Sequence, residues 1–472
     1  MIDVPAPHPP DLTAPPTAAR LDAASTAVVK TFYATATFWL LIASALGFIV
    51  SIKLHTPGFL AGSAYLTFGR LRPAHVNTAL YGWAGLAGIG TLLWMQSRLC
   101  GVRLPFPGLL IAGGVLWNVA VAGGTLAILC GAGTGVEYLE FPYVWSLVFA
   151  AVLGLIVVAS LTMLAARTTR PLYVSQWYIL AAVLWFPVLY LLANQVIHGG
   201  VTRGIPAATA NWWFAHNLLG LWFTPLALAT AFYLFPVLRG APLYSHALSL
   251  FGFWTLAIFY NWAGMHHLIG GPVPQWLITV SVVGSVLMLI PVIAVSVNLH
   301  GTLRGGFALL RANIALRFIV CGALGYTVVS VQGAIQALRS VNEVTHFTHY
   351  TVGHAHLGLY AFFTLTMFGA MYASLARLGP RPPLMPQLMR LHFWTCTVGV
   401  AFFWGALTIG GLIQGTQMND ADVPFPAIVA ATLPYLGARS IAAYLLLLAH
   451  LIFAVLLIGL LRRARPAREV RP

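Results

Sequence analysis

The stretch Thr345–Tyr360 reads T-H-F-T-H-Y-T-V-G-H-A-H-L-G-L-Y and opens an apolar run long enough to cross a bilayer. Of the chain's 15 histidines it holds His346, His349, His354 and His356. His354 and His356 are two residues apart, a rotation of about 200° on an α-helix, so their imidazoles leave nearly opposite faces. One helix can therefore offer a nitrogen ligand to each of two separate partners. The other candidates are His75 in R-L-R-P-A-H-V-N-T, His216 in N-W-W-F-A-H-N, and the adjacent His266 and His267 in F-Y-N-W-A-G-M-H-H. Neutral imidazole ligates copper, zinc, iron and haem. Tyr260, seven residues before His267, would share its face on a continuous helix. A phenol beside an open metal site can deliver a proton and an electron.

These residues must be positioned inside a membrane. The 472-residue chain is 60% hydrophobic and 7% charged, with mean hydropathy +0.86, where a soluble domain carries about 25% charged residues. Twelve apolar segments are expected at 31–53, 74–96, 106–130, 142–166, 172–195, 210–237, 246–270, 275–298, 312–338, 347–376, 391–414 and 438–461. The expectation is an all-α integral membrane protein of twelve transmembrane helices. It forms one unit, 30–462, between a flexible N-terminal tail, 1–29, and a basic tail, 463–472. Arginines gather after even-numbered segments and acidic residues after odd ones, so both termini are expected to be cytoplasmic. The net charge of +15 follows this bias and is assigned to topology and lipid headgroups, not to nucleic acid. Cys100, Cys130, Cys321 and Cys396 show no C-x-x-C spacing and are expected to be packing residues.

Under this topology His75, His216, His266, His267, His354 and His356 all fall in the outer half of their segments. A polar side chain in a bilayer core needs a partner or a function, and six at one depth indicate a metal or haem cluster. Ligand arithmetic suggests a partition. His216, His266 and His267 suit a three-coordinate copper with an open position. His354 would be the single ligand of a five-coordinate haem facing it. His75 and His356 would hold a six-coordinate haem behind.

With these motifs in view, the chain resembles the catalytic subunit of the C-family, cbb3-type haem-copper cytochrome c oxidases, from about residue 30 to 460. The resemblance rests on G-R-L-R-P-A-H-V-N-T, Q-W-Y-I-L-A-A-V-L-W, W-W-F-A-H-N, F-Y-N-W-A-G-M-H-H and T-V-G-H-A-H. It implies O2 reduction to water in a bacterial inner membrane, with two b-type haems and one copper. It also implies membrane-anchored c-type cytochrome subunits as electron donors, since the chain has no C-x-x-C-H of its own. Tyr260 matches the segment-7 tyrosine that this family links to the first copper histidine, here His216. Secondary expectations are Arg70, Arg72, His346 and His349 at haem propionates, and Glu137 and Glu140 near a calcium ion. Tyr326, Ser330 and Gln332 are expected on a proton path. Gln332 stands in V-S-V-Q-G where the family has glutamate, and no Asp or Glu lies inside a membrane segment, which leaves proton pumping open. His349 and its flanking residues lean toward the nitric oxide reductases of the same superfamily. Those bind non-haem iron at the copper position, usually with a segment-6 glutamate. Here N-L-L-G-L-W follows His216, with no carboxylate.

Overall fold

A computed structural model describes residues 15–378 and 385–463. Residues 1–14, and residues 464–472 of the expected basic tail, lie outside the described residues. Among the described residues the chain is helical with no strand. We number its twelve long segments in order. They are α1 Pro15–His55, α2 residues 68–100, α3 Pro107–Leu129, α4 Tyr143–Ala165, α5 Val174–His198, α6 Ile205–Arg239 and α7 His246–Phe259. They continue with α8 Gln275–Thr302, α9 Ile314–Gln336, α10 His349–Leu375, α11 Pro386–Met418 and α12 Phe425–Arg463. Ten helices among the described residues are long and apolar enough to span a membrane. The two expected segments outside that set are α2, which carries arginines near both ends, and α7, which unwinds.

Three helices form the centre. In α6 and α10 the apolar window is 89% buried, against 39–56% in the other spans, and α2 is buried continuously from Leu80 to Cys100. These are the helices that carry His216, His354, His356 and His75. The surrounding helices leave large apolar side chains exposed on their outer faces, among them Leu109, Val144, Val188 and Ile441. Each central helix contains a π segment just after a histidine: Thr78–Gly85 after His75, Leu219–Phe223 after His216, and Leu357–Thr364 directly after His356. A π turn widens the helix by one residue, and such bulges occur at functional sites.

Two expectations are corrected. Residues 15–29 are not a flexible tail but the first turns of α1. Pro15 and Pro16 open the helix, where a missing N–H is harmless, and alanine carries it forward. Asp22 then anchors it: its carboxylate pairs with Arg98 at 2.6 Å and accepts from Trp94 Nε1 at 3.0 Å, all three buried. The expected segment 246–270 also is not one helix. It ends at Phe259 and continues as two 3-10 turns, Tyr260–Trp262 and Met265–Leu268, with extended Ala263 between. The break carries the short turn that holds both His266 and His267 over to His216. Gly264 makes the break at φ 116°, a conformation closed to side chains with a Cβ.

Candidate metal centre

His216, on α6, meets His266 and His267, on the 3-10 turn after α7. One ligand nitrogen from each lies within 4.8 Å of the others. The ring centroids are 5.1 Å (His216–His266), 5.8 Å (His216–His267) and 4.4 Å (His266–His267) apart. Each ring is braced. His266 Nδ1 lies 3.1 Å from both Ser281 Oγ and Ser285 Oγ on α8, and Ser285 gives its own proton to the Ser281 carbonyl. Nδ1 also faces the Gly264 N–H at 3.5 Å, and with Nδ1 engaged on this side, Nε2 is the nitrogen left for a metal. His267 stacks on Trp212 at 4.5 Å. His216 Nδ1 is buried without a partner. Three imidazoles with no carboxylate among them suit copper better than an oxygen-seeking iron.

Tyr260 lies on His216, with ring centroids 4.5 Å apart and planes 29° apart. The continuous-helix argument for its position does not hold, because the helix ends before it. It reaches His216 by way of the 3-10 turn and rests on Gly220, where a Cβ would come within 1.7 Å of its ring.

On α10, His354 and His356 part as their spacing requires. His354 interacts electrostatically with all three clustered histidines, and His356 with His75 and Arg439. His354 Nδ1 is buried without a partner. The His75 and His356 rings are nearly parallel, 11° apart, with centroids separated by 6.4 Å. Two metal–imidazole bonds of about 2 Å each, with the ring radii added, need about this separation. Both Nδ1–H groups donate to backbone carbonyls, His75 to Ala43 at 2.7 Å and His356 to Val352 at 2.8 Å. Each Nε2 therefore keeps its lone pair for an axial bond. All four of His75, His216, His354 and His356 lie deep in the bundle yet keep part of their surface uncovered, so they line internal space. The residues present fit one copper and two haems.

The match to a family model decides the class. The model described as cytochrome c and quinol oxidase polypeptide I matches residues 27–445. The chain belongs to that family. It is thus an oxidoreductase subunit of the haem-copper type and a multi-pass membrane protein. It is 28% identical over 446 residues to cytochrome c oxidase subunit 1 of Rhodobacter capsulatus, covering 90% of this chain and 84% of that one. It is also 28% identical over 403 residues to the cbb3-type cytochrome c oxidase subunit CcoN1 of Stutzerimonas stutzeri, covering 83% and 85%. A haem-copper terminal oxidase dimer solved by cryo-electron microscopy has the same fold, with TM-score 0.74 at 14% identity over 95% of this chain and 85% of that one.

The secondary residues of this oxidase subunit are placed less simply. Arg72 forms a two-point ion pair with Glu137, the shorter contact 2.6 Å, and Arg70 donates to the Leu129 carbonyl at 3.1 Å. Glu140 accepts from Asn77 at 2.7 Å. Burial pushes its carboxyl up to about 7, against the opposing Asn77 bond. Both carboxylates thus have partners and brace the turn of α2 that carries His75. Calcium takes six to eight oxygens, of which these two residues could supply only a part. His346 lies near the backbone of His267 and Ile269, and burial holds its pKa down. The backbone N–H of His349 donates to Gln414 Oε1 at 2.9 Å. Tyr326 is buried with an unpartnered hydroxyl, its ring 5.1 Å from that of Phe362. Gln332 instead accepts from Trp404 Nε1 at 3.1 Å, and half-buried Ser330 precedes it by two residues. The helix therefore turns Tyr326 and Gln332 to different neighbours.

Arg439 is the residue that sequence spacing does not point to. It is buried in α12, lies over Phe403 at 5.6 Å, and leaves Nε unpartnered beside the His75–His356 pair. The available signal is a lone arginine, A-R-S, inside an otherwise apolar helix.

Proposed function

We propose that this chain is the catalytic subunit of a terminal respiratory oxidase that reduces O2 to water with electrons from membrane-anchored c-type cytochrome subunits. It would sit in a bacterial inner membrane with both termini cytoplasmic. The observation that carries this reading is Tyr260 lying against His216 within a three-imidazole, carboxylate-free cluster. When bound, two b-type haems and one copper supply electron transfer and the binding and reduction of O2. His75 and His356 would hold the low-spin haem through Nε2, His354 the high-spin haem, and His216, His266 and His267 the copper.

The chain's own residues do the rest. Ser281 and Ser285 hold the His266 ring in place through Nδ1. Tyr260 offers its phenolic hydrogen at the open face of the site, and the buried, unpartnered hydroxyl of Tyr326 would serve to replace that proton. Arg439, beside the His75–His356 pair, and Arg70 would be available to hold haem propionates, and Arg72 only on releasing Glu137.

Purified enzyme tests this directly. Expected are a Soret band with low- and high-spin components, one copper per chain, O2 turnover, and a His216–Tyr260 crosslinked peptide by mass spectrometry. Non-haem iron in place of copper, no crosslink and nitric oxide turnover would establish the reductase alternative.

A further inference from the structure

A second polar site lies away from the metal centre, between the first turns of α4 and the last turns of α5. The two helices leave a cleft of about 230 Å³ there. Its mouth is apolar: Leu147 and Leu191 flank it, 49% and 48% exposed on the face of the bundle. Its floor is polar, lined by the buried Ser146, Asn194 and Tyr190. Ser146 Oγ and Asn194 Oδ1 have no hydrogen-bond partner. A hydroxyl inside a helix often returns its proton to the carbonyl four residues back, as Ser44 and Thr230 do here, and Ser146 does not. Asn194 Nδ2 donates to the Tyr190 carbonyl at 2.8 Å, so the free end of this amide is its acceptor. The Tyr190 hydroxyl faces the same two side chains without closing a hydrogen bond to either unpartnered oxygen.

Buried polar atoms are costly to leave unpaired, and the hydrocarbon of a bilayer brings no water to them. Two at the floor of one cleft therefore select an occupant by its chemistry. Asn194 Oδ1 can only accept, so the occupant donates to it from an O–H or N–H. Ser146 Oγ can accept or donate. None of the residues lining the cleft is charged, so a phosphate or an ammonium would enter without a counter-ion, and the fitting head is neutral. The leucine mouth suits an apolar tail. A cavity of about 150 Å³ takes benzene, so this cleft has room for one substituted six-membered ring or a glycerol unit. Tyr143 opens α4 and His198 closes α5, which sets the cleft near the level where acyl chains meet headgroups. Tyr143 O–H donates to Gln195 Oε1 at 3.1 Å and ties the two helices together at that end, so the cleft is formed before anything enters it.

We propose that the α4–α5 cleft binds an uncharged membrane amphiphile through a hydroxyl on its head, which donates to Asn194 Oδ1 while Ser146 makes a second hydrogen bond to the same head. Two kinds of membrane component carry that chemistry: a hydroquinone on an apolar tail, and a glyceride with a free hydroxyl. The site discriminates by the proton on the oxygen. A quinone offers acceptors only, as does a fully esterified glyceride, and either would leave Asn194 Oδ1 unpaired. Binding breaks no covalent bond and moves no electron, and it is independent of the metals assigned above.

The test uses the assembled oxidase with its partner subunits, purified in detergent and stripped of lipid. The probes are a short-tailed benzohydroquinone and dioctanoylglycerol, each beside its hydroxyl-free counterpart, the benzoquinone and the acetylated glyceride. Native mass spectrometry in the absence of O2 counts the molecules bound per chain over a concentration series. At least one hydroxyl probe should bind at one per chain, about tenfold or more tighter than its counterpart, and the tighter of the two identifies the source. Asn194→Leu replaces the acceptor by an apolar group of similar size. It should weaken binding about tenfold without lowering the melting temperature of the empty protein, because an unpaired buried oxygen is removed; an asparagine with a merely structural role would lower it. Leu191→Trp fills the mouth from an exposed position and should abolish binding. No saturable binding of either hydroxyl probe, equal binding of a probe and its counterpart, or affinities unchanged in both variants overturns the proposal. If neither variant assembles, the wild-type preference for the hydroxyl decides alone.

Discussion

Gly220→Ala is the substitution that most directly tests the role of Tyr260. Gly220 is one turn after His216 on α6, and the Tyr260 ring rests on its bare α-carbon. A Cβ there would stand 1.7 Å from Cζ and 1.8 Å from Cε1 of the ring. The ring would have to retreat from 1.7 Å to the 3.4 Å at which ordinary van der Waals contact begins. The methyl group is small and α6 is enclosed on all sides, so the backbone of α6 is less free to yield than the 3-10 turn carrying Tyr260. Overpacking of this kind costs about 1–3 kcal/mol of stability, which a large bundle tolerates. The functional effect is larger, because a misplacement of about 1 Å at a reacting group costs on the order of 100-fold in rate. The expected variant assembles, keeps both haem signatures and its copper, loses the His216–Tyr260 crosslink, and turns over O2 at about 1% of the wild-type rate. Gly220→Ala enzyme with wild-type turnover and an intact crosslink would refute the packing argument and, with it, the claim that Tyr260 works from its place on His216.

Four further outcomes follow from the same structure. Asp22→Ala should lower stability by about 3–5 kcal/mol, because it leaves the buried Arg98 guanidinium unpaired; thermal unfolding in detergent measures it, and adding Arg98→Met should recover much of the loss. Ser281→Ala with Ser285→Ala frees the His266 ring and should weaken copper retention about 10–100-fold, read by metal content after chelator challenge. Arg439→Met removes a buried cation near the His75–His356 pair and should make the low-spin haem harder to reduce, by about 1–2 kcal/mol at an effective dielectric of 20 and ~10 Å; redox titration decides. Glu140 is held near 7 in the fold, above its ordinary 4.5, so the folded state keeps a proton that the unfolded state has lost. The stability it contributes is full below about 4.5 and disappears as pH rises through about 7, an effect of up to about 3 kcal/mol. Glu140→Gln should flatten the profile of melting temperature against pH across that window.

The candidate histidines were legible because their signal depends on properties local to the chain. A two-residue step on any helix separates His354 from His356, and burial of imidazole in a bilayer demands a partner wherever the helix packs. Much of the surrounding chemistry depends instead on who is adjacent across helices. Tyr260 was tied to His267 by helical period, yet it meets His216 because Gly264 ends the helix between them. Arg72 reads as an anion partner for a cofactor, but Glu137, 65 residues away, takes it first. Residues 15–29 read as a tail until Arg98 provides Asp22 with an ion pair. Ser281 and Ser285 on α8 match many serines that merely face their own helix, and only the fold shows that two of them hold one imidazole.

The three π segments bear on how the protein would respond to changes in length. Each central helix carries one residue more than an α-helix needs over the same rise, and the surplus lies just past a ligand histidine in α2, α6 and α10. Deleting one residue from Thr78–Gly85, for example, would let α2 close into a regular ladder of i to i−4 bonds, a better helix by itself. The part beyond would then be turned by about 100° relative to His75, and the packing that holds both halves could no longer be satisfied together. Such a deletion is expected to raise helix content while lowering haem content. Natural length variation should accordingly concentrate in the loops between segments and avoid these three sites.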